Sequence, residues 1–231
     1  MSPHEPDARV ARGMAVQLEQ RRRGLEGAER HLGWKVGFGT AQAMAAMSLT
    51  APLVGHLFAS GRLEPGAECS LAGWENPRLE PEVAVHLAAD VDAAGGRDAV
   101  AAALAGLGVA VELVDPDPDA DDPEAILADN IFQRHVLLGP VTDTSDTHGL
   151  RLRVRVDGEE TVDTSDITAA TGDVLDAVAS VASTLEAAGE RLRGGDVVIA
   201  GSIVPALELE PGQEVEVALE PLGRLSVRFS G

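Results

Sequence analysis

Tyrosine is absent from this chain, aromatics of any kind make up 3% of it, and cysteine and lysine each occur once. A single thiol, Cys69, cannot form an intramolecular disulfide, and with no His/Cys spacing around it a zinc site is excluded as well. With so few rings, the core must be built from Ala, Val, Leu and Ile. No apolar run reaches the ~18 residues of a membrane-spanning helix, and the N-terminal segment, with Arg9, Arg12 and Arg21-Arg22-Arg23, has no continuous apolar stretch of the kind that directs export. The expectation is a cytoplasmic protein with no membrane partner.

Positive charge is also scarce. Against 38 acidic residues stand 18 basic ones, a formal net charge of −20, which repels phosphate backbones and anionic surfaces and argues against nucleic-acid binding. The same field opposes an anionic substrate unless a metal or a cation waits at the site. Seventeen of the cations are arginine, and Lys35 is the lone lysine. Its compact ammonium can be buried and can exchange protons where a guanidinium cannot; coding bias is the plainer alternative.

At 231 residues the chain is long enough for one domain, 1–231, with a real core. Residues 6 to 30 read as a helix with Val10, Met14, Val16 and Leu18 among polar residues, so 1–32 form a helical flank suited to an oligomer contact. In Gly33-Trp34-Lys35-Val36-Gly37-Phe38-Gly39 glycine alternates with larger residues, as in a strand approached closely by a ligand or another strand; the Lys-Ser/Thr of a phosphate loop is missing. A short helix is expected over 40–48, strands over 78–87 and 108–114, and an Ala-rich helix over 97–107. A solvated acidic loop follows over 115–122, then strands and hairpins including 150–156, a helix over 173–193, and strands near 196–200, 214–219 and 224–229. Strands bracket the helices without regular βαβ alternation, which implies a mixed, largely antiparallel α+β architecture.

Along a strand over 78–87, Arg78, Glu80, Glu82, Ala84 and His86 share one face. Two carboxylates at i and i+2 either lie in solvent or, in a pocket, repel each other unless a cation sits between them. Glu112 falls in Gly108-Val109-Ala110-Val111-Glu112-Leu113-Val114, where every other side chain is small or apolar, so it must be protonated, paired or metal-bound. Three such carboxylates suit a hard divalent ion such as Mg²⁺ or Mn²⁺. A structural Glu–Lys or Glu–Arg pair is the alternative.

These residues resemble the 2-keto-4-pentenoate hydratase branch of the fumarylacetoacetate hydrolase superfamily. The resemblance is carried in order by Gly33-Trp34-Lys35-Val36-Gly37, Pro77-Arg78-Leu79-Glu80-Pro81-Glu82, Val111-Glu112-Leu113-Val114-Asp115, Ala128-Asp129-Asn130, and Gly195-Asp196-Val197-Val198-Ile199-Ala200-Gly201-Ser202 with Pro205. It implies a mixed β-roll with flanking helices, Mg²⁺ or Mn²⁺ on Glu80, Glu82 and Glu112, Lys35 at the substrate, a homo-oligomer, and a small 2-oxo acid or its dienol as substrate. Arg78 is a candidate carboxylate clamp or a plain surface charge, Ser202 a candidate donor to the substrate or a residue that closes its turn, and Asn130, Leu53 and Phe132 are candidate pocket residues.

The chain departs from that pattern in two places. Where hydratases of the family carry Asp in a Pro-Asp-Tyr/Phe-Gly stretch, this chain has Pro52-Leu53-Val54-Gly55, and after Asp129-Asn130 a small Ser-containing segment is replaced by Ile131-Phe132-Gln133. His56 is a candidate replacement for the acid lost at Leu53, or a packed residue. The reading placed first is hydration of a 2-hydroxy-2,4-dienoate, with Lys35 moving a proton or holding the carboxylate. Decarboxylation or C–C hydrolysis of a related 2-oxo acid is the alternative, as is a non-catalytic relative that binds such acids.

Overall fold

The computed structural model describes residues 7–170 and 172–231. Its helices are α1 (Ala8–Glu26), α2 (Ala41–Met47), α3 (Gly96–Ala103), α4 (Pro123–Ala128) and α5 (Val174–Ala187). Its strands are β1 (His31–Gly37), β2 (Leu53–Phe58), β3 (Arg62–Leu63), β4 (Glu68–Ser70), β5 (Arg78–Leu87), β6 (Leu104–Val114), β7 (Gln133–Leu138), β8 (Arg151–Val156), β9 (Glu159–Thr164), β10 (Val197–Ile199), β11 (Leu207–Glu208), β12 (Glu214–Glu220) and β13 (Gly223–Ser230).

Seven strands of the larger sheet run β2-β1-β10-β5-β6-β7-β3, and an eighth, β11, joins the near end of β5. Only β1/β10 and β3/β7 are parallel pairs, so this sheet is largely antiparallel and curls into a half-barrel. A second sheet, β4-β13-β12-β8-β9, packs with the helices against its convex side. The expected α+β architecture is the one observed.

Strand alternation sorts side chains onto the two faces. From β5, Leu79, Val83, Val85 and Leu87 enter the main core, which also holds Val178, Val181 and Leu185 of α5 and Leu152, Val154, Val217 and Leu225 of the second sheet. Each such fully buried Leu or Val contributes ~1.5–3 kcal/mol relative to exposure. The opposite, concave face is filled by a smaller cluster of Leu57, Ala84, Ala110, Val136, Leu138, Val197 and Ile199.

Gly33 is essential to this arrangement. A Cβ there would lie 1.9 Å from the Val197 carbonyl oxygen, so only glycine lets β1 lie against β10. Of the alternating glycines, Gly33 thus reflects contact with a neighbouring strand.

Several element boundaries differ from expectation. The Ala-rich helix stops at Ala103 and β6 begins at Leu104, because residues 104–108 pair with 84–87 of β5; cross-strand pairing overrides helix propensity there. Helix α5 ends at Ala187, followed by Gly189 at φ 81°, although Leu192 beyond it is still buried. In α1 the buried stripe is Gly13, Met14, Gln17 and Arg21, while Val16 is exposed. The proposed start at Pro6 lies outside the described residues, and the flank is shorter than 1–32 because β1 opens at His31. Helix α4, with Asp122 capping it and Pro123 in its first turn, was not anticipated.

Candidate active site

Two adjacent strands bring the carboxylates together. In the antiparallel pairing of β5 with β6, Glu80 stands directly opposite Glu112, and Glu82 lies two residues along on the same face. One oxygen from each of the three falls within 4.8 Å of the others. Glu82 and Glu112 are completely buried, whereas Glu80 keeps some exposure and opens onto a cleft.

The gap between β10 and β11 admits a second wall. Both strands pair with β5, and between them residues 200–206 form an arch that stays tied to β5, Ala200 N–H donating to the Val83 carbonyl at 3.1 Å and Ile203 N–H to the Pro81 carbonyl at 2.9 Å. Pro81, which has no N–H, sits where no ladder bond is required. The arch directs the Gly201 N–H onto Glu82 Oε2 at 2.7 Å.

Lys35 projects from β1 across the concave face and is 2% exposed. Its Nζ pairs closely with Glu112 Oε1 and donates to the Ile131 carbonyl at 3.0 Å. Gly55 of β2 makes room for the stem: a Cβ there would meet Lys35 Cγ at 2.7 Å. Gly37 does the same for Ile131, whose Cγ2 would lie 2.6 Å from a Cβ.

The turn that supplies this carbonyl is strained. Asn130, Ile131 and Phe132 have φ values of 49°, 54° and 61°, three consecutive left-handed residues without a glycine. Such a conformation costs ~1–2 kcal/mol per residue for most side chains, less for Asn. Strain of this kind persists only where surrounding contacts fix it.

Burial raises all three carboxyl pKa values. Glu80 is pushed up to about 7, first by burial and then by the nearby Glu112. Glu82 is raised well above its usual range by burial and by both other carboxylates, and Glu112 is raised by burial against the opposing pull of Lys35.

Glu82 Oε1 and Glu112 Oε2 are buried without a hydrogen-bond partner. Leaving a buried acceptor unsatisfied costs ~1–3 kcal/mol, more when it is charged. Three carboxylates less one ammonium leave a formal charge of −2, which a divalent ion cancels. The all-oxygen donor set and the two orphaned oxygens therefore fit a hard ion of the Mg²⁺ or Mn²⁺ type.

The adjoining cleft measures about 400 Å³. Besides Lys35 and Glu80 its wall includes Phe38, Thr40 and Gln42, the apolar Val114, Ile131 and Phe132, and Ser202, Val204 and Ala206 of the arch. Among the described residues, Lys35 and Glu80 are its only titratable groups.

Not every sequence candidate reaches this cleft. Ser202 and Phe132 are on its wall, although the Ser202 hydroxyl donates to the Val204 carbonyl at 2.6 Å. Arg78 is off it: the side chain pairs with Glu208 of β11 at 3.0 Å, because that strand adds to the edge of β5 beside it. Leu53 is packed into the main core. Asn130 spends its amide on the backbone of His56, accepting from its N–H at 2.9 Å and donating to its carbonyl at 3.0 Å. His56 packs edge-on against Phe58 and is off the wall; burial lowers its pKa to about 4. The Ile131 carbonyl, the Gly201 N–H and Phe38 were missed, although Phe38 stands between two glycines directly after the lysine motif.

The fold and this carboxylate site define a metal-site half-barrel, and comparison with known proteins gives its family. Residues 34–230 match the family described as fumarylacetoacetate (FAA) hydrolase, C-terminal, and the chain belongs to that family. It is 28% identical to a 4-oxalocrotonate decarboxylase of a Pseudomonas species over 90% of this chain and 82% of that one. It is 26% identical to 2-hydroxyhexa-2,4-dienoate hydratase of Comamonas testosteroni over 100% of this chain and 90% of that one. Among solved structures, 4-oxalocrotonate decarboxylase from Pseudomonas putida G7, complexed with magnesium and adipate, superposes with a TM-score of 0.87 at 26% identity, covering 95% of this chain and 86% of that one. No helix among the described residues is long and apolar enough to cross a membrane.

Proposed function

We propose that this chain is a metal-dependent lyase of small 2-oxo acids, and that its reaction is decarboxylation of an unsaturated 2-oxo dicarboxylate of the 4-oxalocrotonate type. This puts second the hydration that the sequence motifs had put first. The observation that carries the reading is the cleft wall: its titratable groups, Lys35 and Glu80, belong to the carboxylate cluster, and the rest is apolar or neutral. Adding water to a distal double bond calls for a group that positions or activates water. Losing CO₂ calls only for an electron sink at the other end of the conjugated system.

Glu80, Glu82 and Glu112 would hold the divalent ion, which when bound supplies Lewis acidity at the 2-oxo oxygen and an anchor for the adjacent carboxylate. Phe38, Val114, Phe132, Val204 and Ala206 exclude water from the distal carboxylate, and in that environment the charged ground state loses its solvation. The bond to this carboxylate breaks, CO₂ leaves, and the electron pair passes through the double bond to the 2-oxo oxygen, giving a 2-hydroxydienoate. With Glu80 committed to the ion, Lys35 Nζ, held by Glu112 and the Ile131 carbonyl, would hold or deliver the proton. A small-molecule substrate and a homo-oligomeric assembly are part of this reading.

Hydration remains the second reading, supported by the hydratase that aligns with the whole chain and by Thr40, Gln42 and Ser202, which offer polar atoms to a water. Incubation with Mg²⁺ and 4-oxalocrotonate, in parallel with 2-hydroxypenta-2,4-dienoate, separates the two. The proposal expects CO₂ from the first and no consumption of the second. Consumption of the dienoate without CO₂ release from 4-oxalocrotonate would establish hydration, and no turnover of either with metal bound would favour a binding protein.

A further inference from the structure

The structure assigns Asn130 a positioning role: its side-chain amide clasps the backbone of His56 and thereby holds the left-handed turn whose Ile131 carbonyl orients Lys35. Three observations support this. Both polar atoms of the Asn130 amide are engaged by one residue of β2, as acceptor from His56 N–H and donor to His56 C=O, so the side chain acts as an extra rung on that strand. The rung begins a turn of three left-handed residues, of which β-branched Ile131 is the least suited to that conformation. The product of the turn is a buried carbonyl 3.0 Å from Lys35 Nζ, a second partner for the ammonium beside Glu112.

The glycines fit the same device. Gly55, which precedes His56, would with a Cβ approach both Lys35 Cγ, at 2.7 Å, and Asn130 Oδ1, at 3.1 Å. Lysine stem, clasp and strand thus meet at one point, and a loosened clasp frees the carbonyl that fixes the far end of the lysine. Gln17 of α1 strengthens the mounting from behind, donating to the Val54 and Leu127 carbonyls at 3.1 and 3.3 Å and so tying β2 to α4, the helix that leads into the turn. Asn130 touches neither the cleft nor the carboxylates, and it acts through Lys35.

The kinetic part of this inference rests on the role proposed above for Lys35; the geometric part does not. Because Lys35 is the only lysine, protein grown with lysine labelled with ¹⁵N at Nζ gives a single side-chain ammonium resonance that reports its surroundings directly. The test compares the parent with Asn130→Ala, which loses both the clasp and the tolerance for positive φ, and with Asn130→Gly, which keeps the backbone freedom and loses the clasp. The expected result is a glycine variant that melts close to the parent, with a displaced or broadened Lys35 resonance and kcat down at least tenfold at little change in KM. A glycine variant with parental resonance and kcat would overturn the clasp. A displaced resonance with undiminished turnover would support the clasp and count against the part of Lys35 in the reaction. Should Asn130→Ala fail to fold, the glycine variant decides alone.

Discussion

Charged side chains crowd two sheets of this molecule and are treated in opposite ways. On the smaller sheet Arg151, Arg153 and Arg155 of β8 face Asp163, Glu160, Glu216 and Glu220, each cation with an acidic neighbour within 4.0 Å and each partly exposed. On the concave face of the larger sheet, three carboxylates share one lysine, Glu82 and Glu112 are fully buried, and one oxygen of each of these two has no partner. Solvent screens the first set, and its members need nothing further. The second is out of balance by two negative charges, and a fold retains such an imbalance where an additional ligand corrects it. Pairing and burial together, and not the count of charges, distinguish a surface from a site.

The contrast can be broken most forcefully at Glu82. Glu82→Ala removes a buried carboxylate already oriented by Gly201 N–H, and turnover with Mg²⁺ should fall about a thousandfold or more, the several kcal/mol that a metal's Lewis acidity supplies. Retention of a tenth of the activity would show that the cluster is not the reactive centre. Lys35→Ala should come next, with kcat lower by ~10²–10⁴ as for a lost proton-transfer group and with metal affinity largely kept; parental kcat in that variant removes Lys35 from the reaction.

The third expectation concerns pH. With metal removed, Glu80 titrates near 7 in the folded protein against an ordinary 4.5, and Glu82 and Glu112 are shifted in the same direction. The folded state then binds protons that the unfolded chain has released. The stability linked to Glu80 is complete below about 4.5 and is lost as pH rises through about 7, and that linked to Glu82 and Glu112 falls with rising pH in the same sense. Chelator-treated protein should therefore melt lower at pH 8 than at pH 5, and a Glu80→Gln/Glu82→Gln variant should show a shallower decline. Saturating Mg²⁺ should oppose the trend, since the ion binds the ionised carboxylates. Equal slopes in parent and variant would contradict the shifted values.

The smallest effect belongs to the exposed network. Arg153→Ala, breaking contacts to Asp163 and Glu220 at 4.0 and 3.4 Å, should move the melting midpoint by no more than about two degrees and leave kcat unchanged. A larger loss would erase the distinction between the two sheets.

Much of the site was legible because strand alternation is a local rule. Glu80 and Glu82 at i and i+2, and Glu112 alone among apolar neighbours, could be assigned faces without knowledge of the fold, and β5 spans the residues expected of it. The α+β class likewise followed from the irregular order of strands and helices. What could not be read depended on partners distant in sequence. Arg78 shares a face with the glutamates, yet it is diverted by Glu208, 130 residues away, through the two-residue strand β11. Asn130 bears a side chain suited to ligand contact, and only the approach of β2 reveals its engagement with His56, 74 residues off. The extension of β6 into an Ala-rich segment also follows from its partner strand, because alanine itself favours helix.

We propose that the buried carboxylates hold one divalent ion. Calorimetric titration of chelator-treated protein with Mn²⁺, parent beside Glu112→Gln, tests it most directly. One ion bound per chain by the parent and none detectable by the variant is the predicted result; no binding by the parent, or equal binding by both proteins, would contradict it.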